Sequence, residues 1–243
     1  TGGRATGQAL MHRIGLKKVG MELGSNAPVI VMPDADLDLA VSANVSGAFW
    51  AAGQNCLHVQ RLLIHASIYA EFVAAARAYR VGDKLDEATD MGPLINRTEA
   101  LRVERLVNEA VDAGATLLTG GERWGNFYAP TVLADVPDTC TLAREEIYGP
   151  VTLLYRFHGL DEAIARANNV DYGLQAGIFT RDLQTAFRAV SELHVGGVMV
   201  NDSTDYRIDA MPFGGVKGSG LGREGIRFAV QEMTEPKVVC FNL

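Results

Sequence analysis

Cys56, in the run Gly53-Gln54-Asn55-Cys56-Leu57, and Glu22, in Met21-Glu22-Leu23-Gly24, are residue types from which acyl-transfer chemistry can be built. A cysteine attacks a carbonyl as its thiolate, and a carboxylate held nearby can take the proton from the thiol or from water. Each lies in a glycine-bearing turn after an apolar stretch, where side chains are aimed rather than buried. A structural thiol and a loop carboxylate are the plainer alternative. Gly53 permits backbone conformations that other residues resist, so Cys56 can face a cleft. Neighbouring backbone N–H groups, with an amide side chain, can then stabilise an oxyanion formed on thiolate addition. Cys140, in a polar loop, and Cys240, in an apolar run near the end of the chain, read as bystanders. Cys56 is expected to alkylate faster than either.

Two further segments carry possible chemistry. Glu145-Glu146-Ile147-Tyr148-Gly149-Pro150 puts acids, an aromatic ring and a rigid turn together. An acid can bind both hydroxyls of a ribose and a ring can lie along a planar base. A helix end followed by a turn is the alternative. The stretch from Met211 to Glu224 is dense in glycine, which signals phosphate approach or a tightly packed loop near a site. It has neither the Walker spacing nor a GxGxxG after a strand, so it is not a phosphate cradle in its own right.

The elements that must position these residues alternate. Runs rich in valine, isoleucine and leucine at 29–32, 60–65, 115–118, 151–156, 173–180, 196–201 and 237–242 read as strands. Between them lie helices. Asp34 or Asp36 can cap one that runs through Trp50, and Thr98 one with Val103, Leu106, Val107, Ala110 and Val111 along a face. Leu183, Ala186, Phe187 and Val190 form another apolar stripe after Asp182, expected in the core. The alternation predicts an α/β layered domain with a mostly parallel sheet. The opening segment, a turn and a helix with Ala5, Ala9 and Leu10 on one side, resembles the tail of a preceding α/β unit.

Composition narrows the function classes. The chain has 243 residues, 48% hydrophobic, with a net charge of −7. Nothing here supplies a basic surplus to neutralise phosphates, which argues against a nucleic-acid binder. No apolar run reaches transmembrane length and no basic-then-apolar leader opens the sequence. Three widely spaced cysteines suggest a reducing compartment rather than a disulfide frame, so a cytoplasmic location is expected. The five histidines show no paired metal-ligand spacing, and no metal site is expected. The chain begins at Thr1 in a Gly-Gly turn, as if cut from something longer.

Taken together and in order, Thr1-Gly2-Gly3, MELGSNAP, GQNCL, EEIYGPV, PFGGVKGSGLGRE and Thr234-Glu235-Pro236-Lys237 resemble the NAD(P)-dependent aldehyde dehydrogenase superfamily. The similarity spans nearly the whole chain. It implies that Cys56 is the nucleophile, adding to the aldehyde to give a thiohemiacetal and then a thioester, and that Glu22 is the base for thioester hydrolysis. It implies that Glu146 grips the nicotinamide ribose of NAD or NADP, that Tyr148 lies beside the nicotinamide, and that Gly2 and Gly3 turn close to the cofactor. Arg102 falls where such enzymes carry a basic ribose contact. Ser25 stands where a second glycine is usual, and His58 where a small residue is usual; neither removes a reacting group.

The resemblance also implies a three-layer α/β/α catalytic domain over residues 24–233, preceded by a Rossmann-like remnant over 1–23 and followed by an oligomerisation-type strand over 234–243. The family is roughly twice this length, so the isolated chain is expected to show no NAD(P)-dependent turnover, and the full-length protein to be a homodimer or homotetramer. Asn55, Leu57, Tyr206 and Arg207 fall where family members line the aldehyde tunnel. One central arginine among few aromatics suggests a short polar or anionic aldehyde, similar to those of the branch handling lactaldehyde, glyceraldehyde phosphate and phosphonoacetaldehyde. Arg207 tied to Asp205 or Asp209, shaping the loop only, is the alternative. An acylating enzyme releasing to coenzyme A and a catalytically inert, partner-binding domain are the competing functions. Glu22 counts against the former, since acylating members often lack that base.

Overall fold

Strands whose residues are buried at every position need helices on both faces of their sheet. Ala27–Val31 and Gln175–Phe179 are of this kind, and Val59–His65 and Val151–Phe157 nearly so. A computed structural model describes residues 1–76 and 79–243 of the chain. It opens with a helix, Arg4–Met11 (α1), and a short strand, Met21–Glu22 (β1). Strand Ala27–Val31 (β2), helix Leu37–Phe49 (α2), strand Val59–His65 (β3), helices Tyr69–Ala76 (α3) and Arg97–Asp112 (α4) and strand Thr116–Thr119 (β4) follow. A hairpin of Arg123–Trp124 (β5) and Phe127–Tyr128 (β6) leads to strand Thr131–Ala134 (β7), helix Thr141–Arg144 (α5) and strand Val151–Phe157 (β8). Next come helix Leu160–Asn168 (α6), strands Tyr172–Gly173 (β9) and Gln175–Phe179 (β10), helix Leu183–Glu192 (α7) and strand Gly197–Val200 (β11). Val216–Lys217 (β12), Gly220–Leu221 (β13) and helix Ile226–Met233 (α8) complete the elements.

The central sheet has seven strands in the order β11-β10-β2-β3-β8-β7-β4. Every neighbouring pair is parallel except β4 with β7. Connection handedness then places the helices. The step β2→α2→β3 moves one way along the sheet, while β8→α6→β10 and β10→α7→β11 move the other way. Right-handed crossovers put α2 on one face and α6 with α7 on the opposite face. Their contacts agree, since α6 packs on α7 and α2 on α3. The core lies between these layers, around Phe49, Leu62, Leu63, Phe157 and Phe179.

One expected cap holds, and several other expectations need correction. Asp36 caps α2, its carboxylate accepting from Leu39 N–H at 3.2 Å. The cap of α4 is Asn96, not Thr98: Asn96 has extended backbone angles and its side chain accepts from Glu99 N–H at 2.9 Å. The stripe on α7 faces outward: Leu183 and Phe187 are more than 70% exposed, and the helix buries Ala186 and Ala189 instead. On α1 the apolar side is likewise exposed, and Gly7 and Arg4 make the inward contacts. No strand forms at 237–242, because an extended segment pairs only where an open edge meets it. Among the described residues no helix is long and apolar enough to cross a membrane.

Candidate active site

Three loops meet at the amino ends of three neighbouring strands. Glu22 precedes β2, Cys56 precedes β3, and Glu146 precedes β8, and these strands are adjacent in the sheet. The last long loop joins them: from the carboxyl end of β11 it runs back over the sheet, so that Thr204 Oγ1 donates to the Leu57 carbonyl at 2.5 Å.

Cys56 owes its place to a tight reversal after α2. Ala51, Ala52 and Gly53 all have positive φ, at 52°, 55° and 66°. A β-carbon at Gly53 would collide with the Gly149 carbonyl oxygen, so it is the close approach that demands glycine there, while Ala51 and Ala52 accept the same strained conformation. The half-buried thiol packs against Leu57, Leu174 and Phe213. Burial pushes its pKa up, Glu146 and Glu22 push further the same way, and its own backbone N–H and Arg207 oppose them. The resting group is therefore a protonated thiol, which argues against the expectation that Cys56 alkylates faster than the exposed Cys240. Asn55 closes the loop, its Oδ1 accepting from Leu57 N–H at 2.9 Å. Its buried Nδ2 has no hydrogen-bond partner among the described residues.

Glu22 is held by strand pairing. It lies opposite Gly220 in the antiparallel β1–β13 pair, which explains the density of glycine there: the loop is packed against the Glu22 strand. The ideal β-carbon position of Gly214 lies 3.0 Å from Glu22 Oε1. Buried, with Oε2 lacking a partner among the described residues, the carboxyl is pushed up to about 7. Burial is the main cause and Glu224 adds to it, while Arg223 and Arg207 pull the other way. A cleft of about 760 Å³ opens beside it, lined by Thr1, Lys18, Arg223, Glu224 and Met233 among others.

Glu146 folds back onto the turn that follows Glu22. Ser25 N–H donates to its Oε1 at 3.0 Å, and a β-carbon at Gly24 would stand 2.5 Å from its Oε2. Glycine at 24 is thus what lets this carboxyl sit there. Burial raises it to about 7, against the Ser25 N–H and Arg102. Tyr148, at φ 50° and with an exposed ring, is raised by burial and by both Glu146 and Cys56. Arg102 donates to Glu99 at 2.7 Å and to the Ile147 carbonyl at 2.6 Å, bracing this turn.

Gly2 N–H donates to the Glu22 carbonyl at 3.0 Å, and Gly3 opens α1 without a side-chain cap and with nothing within 4 Å of an added β-carbon. An open helix start, an exposed ring and a half-buried acid with one N–H partner suit the nicotinamide-ribose end of NAD or NADP. Arg207 pairs with neither Asp205 nor Asp209. Its Nη2 donates to Glu224 at 2.9 Å, and its guanidinium lies 4.1 Å from the centre of the Phe213 ring. Tyr206 is exposed on the same segment. Sequence reasoning assigned no role to Asn26 or Gln60; the signal for Gln60 was a polar residue inside a buried strand.

Residues 1–239 match the family model described as "Aldehyde dehydrogenase family". Aspartate-semialdehyde dehydrogenase 1 of Pseudomonas canavaninivorans is 55% identical over 247 residues, covering all of this chain and 53% of that protein. Aldehyde dehydrogenase 21 from Physcomitrella patens, solved in complex with the reaction product succinate, superposes with a TM-score of 0.93 at 46% identity, over 96% of this chain and 50% of that one. Glyceraldehyde-3-phosphate dehydrogenase GapN from Methanocaldococcus jannaschii, complexed with NADP, gives 0.92 at 42% identity, over 96% and 51%. The chain spans about half the length of the curated relatives it matches.

Proposed function

The chain belongs to the aldehyde dehydrogenase family, and on that premise we propose that it carries the acyl-transfer half of an NAD(P)-dependent oxidation of a short anionic aldehyde to its acid. The observation behind this reading is the meeting of Cys56, Glu22 and Glu146: the thiol feels both carboxyls, and Ser25 N–H ties the second to the turn of the first.

Cys56 adds to the aldehyde carbon while a base takes the thiol proton, giving a thiohemiacetal. Glu22, poised near neutrality, is matched to that task. When bound, NAD or NADP supplies the hydride acceptor that makes the adduct a thioester. Glu146, Tyr148, Gly2 and Gly3 are the residues that would hold its nicotinamide-ribose end, with Arg102 bracing the Glu146 turn. Glu22 then takes a proton from water as the water attacks the thioester, releasing acid and restoring the thiol. The Cys56 backbone N–H and Asn55 Nδ2, which has no partner among the described residues, are donors at hand for the oxyanion. Transfer to coenzyme A needs no such base, so a buried Glu22 favours water as the acceptor.

Arg207 is our assignment for the substrate's anionic end. It already holds a carboxylate, that of Glu224, stands over Phe213 and is close enough to act on Cys56 and Glu22. The relatives named for aspartate semialdehyde and glyceraldehyde 3-phosphate, and the one solved with succinate, are consistent with that class. Residues 1–23 serve as the cofactor-side segment, 24–233 as the catalytic domain and 234–243 as an assembly segment. Assembly as a homodimer or homotetramer is supported by the outward apolar side chains of α7 and α8.

Activated esters test this without hydride transfer. A 4-nitrophenyl hydrogen succinate should acylate Cys56 faster than 4-nitrophenyl butyrate, and Arg207→Ala should remove about tenfold from the first rate only. Equal losses on both esters, read at Cys56 by site-resolved mass spectrometry, would contradict the assignment.

A further inference from the structure

Two buried amide side chains take no part in the steps above. Asn26 and Gln60 are each about 1% exposed, and a buried amide must find partners. Nearly all of theirs lie in one segment. Gln60 Nε2 donates to the Leu142 carbonyl at 3.0 Å and the Glu145 carbonyl at 2.7 Å, and its Oε1 accepts from Ile147 N–H at 2.9 Å. Asn26 Nδ2 donates to the Ala143 carbonyl at 3.2 Å and to the same Glu145 carbonyl at 3.1 Å.

This pattern brackets Glu146. One side chain holds the carbonyl before it and the N–H after it, and with both flanking peptide groups fixed, the Glu146 backbone angles and side-chain direction are fixed too. Arg102 secures the far side of the bracket through the Ile147 carbonyl. The placement is equally specific. Asn26 immediately precedes the strand that follows Glu22, and Gln60 lies in the strand that follows Cys56. The Glu145 carbonyl is therefore where the base segment, the nucleophile segment and the Glu146 turn are joined.

We infer that Gln60, with Asn26, is a positioning residue that holds Glu146 against the Glu22 and Cys56 segments by fixing the peptide groups on both sides of it. The functional meaning rests on the role proposed for Glu146; the positioning itself does not. Replacing Gln60 by an apolar residue would take this partner from the Leu142 carbonyl and the Ile147 N–H and leave the Glu145 carbonyl to Asn26 alone, and the turn would relax toward water.

The test uses the 243-residue chain labelled with carboxyl-13C glutamate, with Glu146 and Glu22 identified by signal loss in Glu146→Gln and Glu22→Gln. In the unmodified chain the Glu146 signal should titrate near 7, as burial dictates. In Gln60→Leu its midpoint should fall by about one pH unit while that of Glu22 stays, and Asn26→Ala should give a smaller fall in the same direction. Should Gln60→Leu fail to fold, the unbranched Gln60→Met is read by the same criteria. An unmoved Glu146 midpoint, or equal falls at Glu146 and Glu22, would make Gln60 an ordinary packing residue and overturn the inference. No cofactor or turnover enters this readout. A Glu146→Gln chain that still binds NADP when supplied with its cofactor-binding half would refute the ribose role alone.

Discussion

Burial dominates the protonation of all three groups at the site. It lifts the Cys56 thiol above its ordinary value and Glu22 and Glu146 to about 7, so near neutral pH the carboxyls are partly protonated and the thiol is not a standing thiolate. A nucleophile of this kind waits for a base, and a glutamate near 7 is a better match at neutral pH than one near 4. The electrostatic sign is testable. Negative charge on Glu146 opposes thiolate formation, so Glu146→Gln should lower the pH midpoint of Cys56 alkylation by iodoacetamide, followed by site-resolved mass spectrometry. An unchanged or raised midpoint would contradict the proximity of the two groups. The residue types at this site were legible from sequence, because each sits in a distinctive turn. Their protonation was not, since it depends on desolvation that only the assembled loops impose. Arg207 shows the same limit: its partner, Glu224, lies across the glycine-dense loop rather than beside it in sequence.

At the scale of elements, the reversal between α2 and β3 is the part most sensitive to change. Gly53→Ala would put a methyl against the Gly149 carbonyl at a backbone angle that alanine resists. The expected loss is about 1–3 kcal/mol of stability, measured by urea unfolding, together with slower acylation of Cys56. A variant as stable and as reactive as the parent would contradict the account of this turn. Most of the sheet was readable from its apolar runs, since parallel strands buried on both faces are nearly continuous in valine, leucine and isoleucine. The strand Thr131–Ala134 escaped because it is short and lies between Pro130 and Pro137. The run at 237–242 carries the same signal yet forms no strand, because pairing depends on an edge that local sequence does not reveal. The α7 stripe announced a helix correctly, but periodicity cannot say which face meets the core.

For the whole molecule, the two desolvated acids make stability depend on pH in a definite direction. Glu22 and Glu146 have folded-state values near 7, above the ordinary 4.5 of an unfolded glutamate. Between those values the folded chain binds more protons than the unfolded one, so their contribution is full below about 4.5 and is lost as pH rises through about 7. Unfolding free energy should therefore fall between pH 5 and about 8, and the double variant Glu22→Gln, Glu146→Gln should flatten that fall. An equally steep fall in the double variant would show that other groups govern it. On the outward faces of α7 and α8, Leu183, Phe187, Ile226 and Met233 are each more than 70% exposed.

The central claim, that Glu22 serves the Cys56 adduct as its hydrolytic base, is tested most directly by the lifetime of an acyl group on Cys56. The chain is acylated with 4-nitrophenyl hydrogen succinate, excess reagent is removed, and the adduct is followed by intact-protein mass spectrometry. In Glu22→Gln the succinyl-Cys56 species should persist about a hundredfold longer than in the parent chain, as loss of a general base implies. Equal lifetimes in the two chains would contradict the account.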